Sequence, residues 1–91
     1  TNSDGWNLYF DLQGSYSDTR KKALELVQDG KKDEARELAK TYNKKARPQI
    51  KELAELGVTD IRLKKQIKRG KKGFIVSKGD FKRWIADAGK P

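Results

Sequence analysis

The sequence predicts a single, mostly α-helical domain of four to five short helices, with at most a small β hairpin near residues 72–76. Three observations support this prediction. The chain has 91 residues, enough for one domain with a modest core. Apolar side chains recur three and four residues apart along most of the chain, which is the period of a helix that buries one face. Glycines and capping residues divide this pattern into short segments.

The first segment, GWNLYFDLQGS, has apolar residues at helical spacing and predicts a short helix that starts at a polar cap in positions 2–4. It is similar to a protease recognition site found in expression vectors. However, Asp11 and Leu12 interrupt that site, so we interpret the segment as native rather than as an altered tag. Its aromatic residues either plug the core or form a hook for a partner protein. The candidate partner-binding residues are Trp6, Tyr9 and Phe10.

Two helices are predicted next. SYSDTRKKALELVQDG has Ser15 or Ser17 as its cap and Gly30 as its end. KKDEARELAKTYNKKA then carries its apolar face at Ala35, Leu38, Ala39, Tyr42 and Ala46. A short glycine-containing turn joins them, so we expect an antiparallel hairpin.

We divide the domain into a first half, residues 1–46, and a second half, residues 47–91. Three helices are predicted in the second half. RPQIKELAELG places Pro48 at or near a first helical position, where a missing N–H costs nothing. TDIRLKKQIKRG has Thr59 as its cap and Gly70 as its end.

The last helix follows a short β-prone run at residues 74–76. Ser77 and Asp80 match a capping pattern, and Phe81, Trp84, Ile85 and Ala88 recur at helical spacing. We interpret Phe81 and Trp84 as core residues. The alternative is a base-stacking platform, which would require exposed aromatic rings beside cations.

Positive charge is concentrated in the second part of the chain. Residues 1–43 carry 7 Lys and Arg against 8 Asp and Glu, whereas residues 44–91 carry 15 against 5. Such asymmetry favours a polyanionic partner, and nucleic acid before an anionic membrane surface.

The densest run of charge is IRLKKQIKRGKK, in which seven of twelve residues are basic. On a helix, Leu63 and Ile67 would face inward and leave a basic stripe outside. The alternative is a merely solvated basic face. The candidate nucleic-acid-binding residues on this stripe and beyond it are Arg62, Lys64, Lys65, Gln66, Lys68, Arg69, Lys71, Lys72, Lys78, Lys82 and Arg83.

The composition argues against an enzyme and against a cofactor. The chain has no Cys, His or Met, which excludes cysteine and histidine metal sites, histidine general bases and cysteine nucleophiles. Acidic pairs such as Asp33/Glu34 and Glu52/Glu55 have the spacing of solvated or capping residues. The apolar runs are short, which predicts neither a membrane span nor a signal peptide, and we expect a cytoplasmic or virion location.

Residues 52–85 resemble the excisionase-type helix-turn-helix. The resemblance rests on LGVT at 56–59, RG at 69–70, a wing-like FIV at 74–76, and S-x-x-D-F-x-x-W-I at 77–85. The family's usual T-x-x-E-A-A opening is replaced here by RPQIKELAELG. The resemblance implies binding of DNA rather than RNA. It places Lys71 and Lys72 on a wing near phosphates, and it places in the major groove Arg62, Lys65, Gln66 and Arg69.

Residues 6–69 also resemble helical segments of very large phage polyvalent and ejected virion proteins. The likeness rests on an aromatic cluster, a helix, G-x-x-x-E-A and a basic helix, within NLYFDLQGSYSDTRKKALELVQDGKKDEARELAKTYN. It implies a phage or mobile-element origin and a packing role within a larger assembly.

Two functions are therefore expected from the sequence. The first is a non-catalytic basic module that binds nucleic acid mainly through phosphates. The alternative is a helical structural or protein-interaction segment of a phage virion protein, whose basic half docks an acidic partner.

Overall fold

A computed structural model of the chain describes residues 2–56, 59–65, 68 and 74–90. These residues are mostly helical, as predicted. Two long helices, α1 (Asn2–Gln28) and α2 (Lys32–Glu55), are followed by a short helical segment at 61–65 and by α3 (Lys78–Ala88). The two long helices replace the short ones that the sequence predicts for residues 2–56.

Helix α1 is continuous where two helices were predicted. Ser15 and Ser17, the predicted caps, lie inside its 27 residues. The Thr19 hydroxyl donates to the Ser15 carbonyl oxygen (2.8 Å), a bond made within a helix. Tyr9 and Leu12 are buried in the core. The burial of this face on both sides of Gly14 outweighs the cost of a glycine inside the helix.

Helix α2 is also continuous, and it passes through Pro48. The predicted helix start at Pro48 is therefore wrong. Ala46 and Leu53 lie on either side of the proline, and both are about 1% exposed. The same face of α2 is thus buried along its whole length, and this packing outweighs the loss of one backbone hydrogen bond.

The turn between α1 and α2 is closed by a Schellman motif at Gly30. Its φ is +79°, its N–H donates to Val27 O (3.0 Å), and the Lys31 N–H donates to Leu26 O (2.7 Å). This conformation favours glycine. The three-residue turn returns the chain along α1, so the predicted antiparallel hairpin forms.

Helix α3 begins at the predicted capping box. The Ser77 hydroxyl accepts from the Asp80 N–H (3.1 Å), and the Asp80 carboxylate accepts from the Ser77 N–H (3.2 Å). Residues 74–76 form a bend and irregular chain rather than a strand. The small β hairpin that was predicted near residues 72–76 is therefore absent at residues 74–76, and residues 72 and 73 lie outside the described residues.

One aromatic residue of α1 joins the three helices. The ring of Tyr16 meets those of Tyr42 in α2 and Trp84 in α3 edge-on, with centroids 6.0 and 5.6 Å apart. Trp84 is 3% exposed, which agrees with its prediction as a core residue. An ion pair between Arg20 and Asp87 (2.9 Å) also ties α1 to α3 and lowers the pKa of the Asp87 carboxyl.

The segment at 59–65 docks on the start of α1. The Asn2 side-chain oxygen accepts from the Thr59 N–H (2.9 Å), and Leu63 is fully buried. Asp60, rather than the predicted Thr59, caps the helical turn by accepting from the N–H groups of Arg62 and Leu63. These backbone donors, Leu63 first, lower the pKa of the Asp60 carboxyl.

Candidate functional site

The main candidate for a binding surface in the described structure is a basic stripe along α2. Six cations recur four, four, four, three and four residues apart, and all are exposed. At 3.6 residues per turn they occupy roughly 120° of the helix circumference and a length of about 28 Å. We call them the α2 stripe: Lys32, Arg36, Lys40, Lys44, Arg47 and Lys51.

Two carboxylates lie beside the α2 stripe. Asp33 is 3.7 Å from Arg36, and Glu37 is 3.5 Å from Lys40. Both are exposed pairs within one helix turn, which contribute little to stability and are easily exchanged for another anion. They leave the stripe strongly positive.

Helix α3 lies beside the stripe and forms a groove with α2. The groove has a volume of about 480 Å³, and none of the described residues that line it is a carboxylate. Its rim carries five cations from the two helices: Lys32, Arg36, Lys40, Lys78 and Lys82. Its floor is apolar and is formed by Ala39, Val76, Phe81 and Ile85. We call it the α2–α3 groove.

One pair of side chains spans this groove. The guanidinium carbon of Arg36 lies 5.7 Å from the ring centroid of Phe81, over its face. This is a cation–π contact between the two helices. Phe81 is partly buried, whereas Trp84, one turn further along α3, is buried in the core.

The α2 stripe continues beyond the groove in two further depressions. The first shares Lys40 and Asn43 with the groove, and the second is lined by Arg47, Ile50 and Lys51. Cations therefore follow one side of α2 for most of its length, so that an extended polyanion could contact all of them at once.

Two residues of α2 fix the wall of the groove. The Asn43 amide accepts from the Val76 N–H (2.8 Å) and donates to the Val76 oxygen (3.0 Å). The Tyr42 hydroxyl donates to the Phe74 oxygen (2.5 Å). Burial, with a smaller effect from Tyr16, raises the pKa of Tyr42 to about 12. These bonds hold residues 74–76 against α2 and so set the position of α3.

The residues that were predicted from the sequence to bind nucleic acid lie in different surroundings. Arg62, Lys64, Lys65 and Lys68 are exposed near the start of α1. Lys78 and Lys82 line the α2–α3 groove. Arg83 is ion-paired with Asp80. Four more predicted residues lie outside the described residues: Gln66, Arg69, Lys71 and Lys72.

The three predicted partner-binding residues also differ in their surroundings. Tyr9 is 8% exposed and packs edge-on against Phe74, so it is a core residue. Phe10 is 57% exposed and stacks on the partly buried Trp6, with centroids 5.6 Å apart. Of the three, Phe10 presents the largest free apolar surface.

The α2 stripe was missed in the sequence because its first three cations lie within residues 1–43, which carry no net positive charge. The recurrence of Lys or Arg at every fourth position from Lys32 to Lys44 could have revealed it. The groove itself could not be predicted, because it depends on where α3, which packs chiefly against α1, lies relative to α2.

The described residues contain no cluster of His, Cys, Asp or Glu that could hold a metal ion. None of the helices described combines the length and the apolar character that crossing a bilayer requires. In comparisons with known proteins, no family model, no curated protein and no solved structure matches this chain.

Proposed function

We propose that this chain is a non-catalytic helical module that binds nucleic acid, mainly through backbone phosphates. The observation that carries the proposal is the α2 stripe, six exposed cations aligned along one side of a helix of 24 residues. Lys78 and Lys82 of α3 face the same groove. The exposed cations at 62–68 provide a second, smaller contact.

The arrangement of charge supports a polyanion as the partner. Like charges four residues apart destabilise a helix by about 0.2–0.5 kcal/mol per pair. The α2 stripe repeats that arrangement from Lys32 to Lys44, and Asp33 and Glu37 offset it through exposed ion pairs with Arg36 and Lys40. A phosphate backbone relieves the repulsion and gains free energy by releasing its own counterions.

Charge reversal on the stripe tests the proposal. The test variant is Lys40→Glu/Lys44→Glu/Arg47→Glu. A matched control, Lys21→Glu/Lys22→Glu/Lys45→Glu, makes the same change in net charge at exposed positions that do not line the groove. Binding to labelled oligonucleotides is measured by fluorescence anisotropy, and helicity by circular dichroism.

We expect the stripe variant to lose at least tenfold more affinity than the control while keeping its helicity. Equal losses would mean that net charge alone governs binding and that the stripe is not the site. A third variant, Lys64→Glu/Lys65→Glu/Lys68→Glu, measures the contribution of the second basic region. If it alone abolished binding, the site would lie there.

A second candidate function is a protein-interaction segment of a larger assembly, such as a virion. The observation that favours it is the exposure of two large apolar side chains, Phe10 at 57% and Ile61 at 72%. Because Tyr9 and Leu12 are core residues, the test must spare them. Phe10→Ser should abolish assembly and leave helicity and nucleic-acid affinity intact. If assembly persisted in the Phe10→Ser protein, the surface around Phe10 would not be the interface.

A further inference from the structure

We infer that the α2–α3 groove is specific for single-stranded nucleic acid, with one nucleobase on its apolar floor, stacked against the Arg36–Phe81 pair. Flanking phosphates contact the α2 stripe. The inference rests on the nucleic-acid binding proposed above and adds which form of the polymer is bound and what the groove recognises.

The groove combines two surfaces that a site for phosphate alone does not need. Its rim is cationic, and its apolar floor includes Val76 and Ile85 as well as the aromatic ring of Phe81. Its volume of about 480 Å³ lies within the range of small-molecule sites. A nucleotide matches this combination because its phosphate is anionic and its base is flat and largely apolar.

The Arg36–Phe81 pair provides a platform for stacking. The guanidinium is planar and lies over the ring of Phe81, which is itself backed by Trp84 at a centroid distance of 6.5 Å. Proteins that bind single strands stack bases on aromatic rings and on arginine planes beside a basic groove. A base on the floor of the groove, beside this pair, would extend such a stack.

Duplex nucleic acid cannot place a base on the apolar floor of the groove. Its bases are paired inside the helix, and bringing one out costs a few kcal/mol of unstacking and unpairing. A single strand has already exposed its bases. The rim cations would bind either form, but only the single strand also gains from the floor, so the groove should favour it.

The charge of the rim also fits an acidic amphipathic helix, but the floor fits it less well. A helix that docks in a groove uses apolar anchors at i, i+3, i+4 and i+7, which need a long apolar trough. Here the four floor residues form one apolar patch, and cations from both helices surround it. A base needs only a patch of that kind.

The test compares three labelled probes at one salt concentration: single-stranded DNA, the same strand with abasic residues at its centre, and the duplex. A single-stranded RNA of equal length shows whether the sugar matters, and tight binding of either single strand supports the inference. We expect the intact strand to bind roughly tenfold more tightly than the abasic strand, the order of one stacking contact.

Two pairs of variants separate stacking from charge and packing. Arg36→Lys keeps the positive charge but removes the planar group, and Arg20→Lys, on α1 and outside the groove lining, is its control. Phe81→Leu removes the ring, and Phe10→Leu, at an exposed position of α1, is its control. We expect Arg36→Lys and Phe81→Leu to weaken binding of the intact strand several-fold, leave the abasic strand unaffected, and keep native helicity, whereas the controls change neither.

The results separate this inference from the proposal that it deepens. Equal affinity for all three probes, or tighter binding of the duplex, would overturn the inference while leaving phosphate binding in place. Failure of every probe to bind at low salt would overturn both. Binding of an acidic amphipathic peptide, with no nucleic acid bound, would assign the groove to a protein partner instead.

Discussion

Individual side chains of α2 decide where α3 lies. Tyr42 and Asn43 are adjacent in the sequence, and together they bind the backbone at Phe74 and Val76. The Asn43 amide satisfies both the N–H and the oxygen of Val76, as a neighbouring strand would do. The position of Lys78 and Lys82 opposite the α2 stripe therefore depends on these hydrogen bonds.

Replacing Tyr42 by Phe should lower the free energy of unfolding by about 1–3 kcal/mol at neutral pH. The reason is that the oxygen of Phe74, a residue only 3% exposed, loses its donor. Denaturant unfolding monitored by circular dichroism measures the change. A Tyr42→Phe protein as stable as the original would show that this bond does not hold the segment.

The raised pKa of Tyr42 also predicts how stability depends on alkaline pH. The folded chain keeps the phenolic proton up to about pH 12, whereas the unfolded chain loses it near pH 10. Stability from this group is therefore complete below about pH 10 and is lost as the pH rises toward 12. Tyr42→Phe should show a smaller loss across that range, and an equal loss in both proteins would contradict this assignment.

At the residue scale, the sequence was a good guide to contacts between near neighbours. The Ser77–Asp80 capping box and the buried face at Ala35, Ala39, Tyr42 and Ala46 are as predicted, because three- and four-residue spacings determine them. The bond from Asn43 to Val76 spans 33 residues, and no local pattern indicates it.

Whole helices were harder to predict than their faces. Gly14 and Pro48 are residues that locally disfavour a helix, yet both lie inside one. Tertiary packing decides, since apolar residues on both sides of Pro48 and before and after Gly14 are buried. A sequence pattern can show that an apolar face exists, but not how much apolar surface area that face buries against the rest of the protein.

Gly14→Ala should raise the free energy of unfolding by about 0.5–1 kcal/mol, because alanine loses less backbone entropy in a helix. A Cβ at this exposed position would meet no atom within 4 Å. The control is Gly30→Ala, which should be destabilising because φ there is +79°. Thermal unfolding compares the two variants. A Gly14→Ala protein less stable than the original would indicate that helix α1 is broken at Gly14.

Pro48→Ala tests the continuity of α2, on which the alignment of the stripe depends. In an unbroken helix the change restores an N–H donor to the Lys44 carbonyl and removes a steric clash. We expect a gain of about 1–3 kcal/mol in the free energy of unfolding. A loss of stability on urea unfolding would instead mean that the proline starts a separate helix.

The whole molecule is elongated, with extents of 45 × 22 × 18 Å. Helix α1 packs against α2, and α3 packs chiefly against α1, so the cations of the α2 stripe stay exposed. The uneven charge predicted an anionic partner, but it pointed to residues 62–72. The structure adds a longer basic surface, which includes three cations from residues 1–43, which carry no net positive charge.

The most direct test of nucleic-acid binding by the α2 stripe is the salt dependence of affinity, measured by anisotropy with a labelled single strand. Each phosphate contact contributes about 0.7 to the slope of log affinity against log salt. Lys40→Gln/Lys44→Gln/Arg47→Gln should therefore reduce the slope by about 2. An unchanged slope, or no binding of the original protein at low salt, would contradict the proposed function of the stripe.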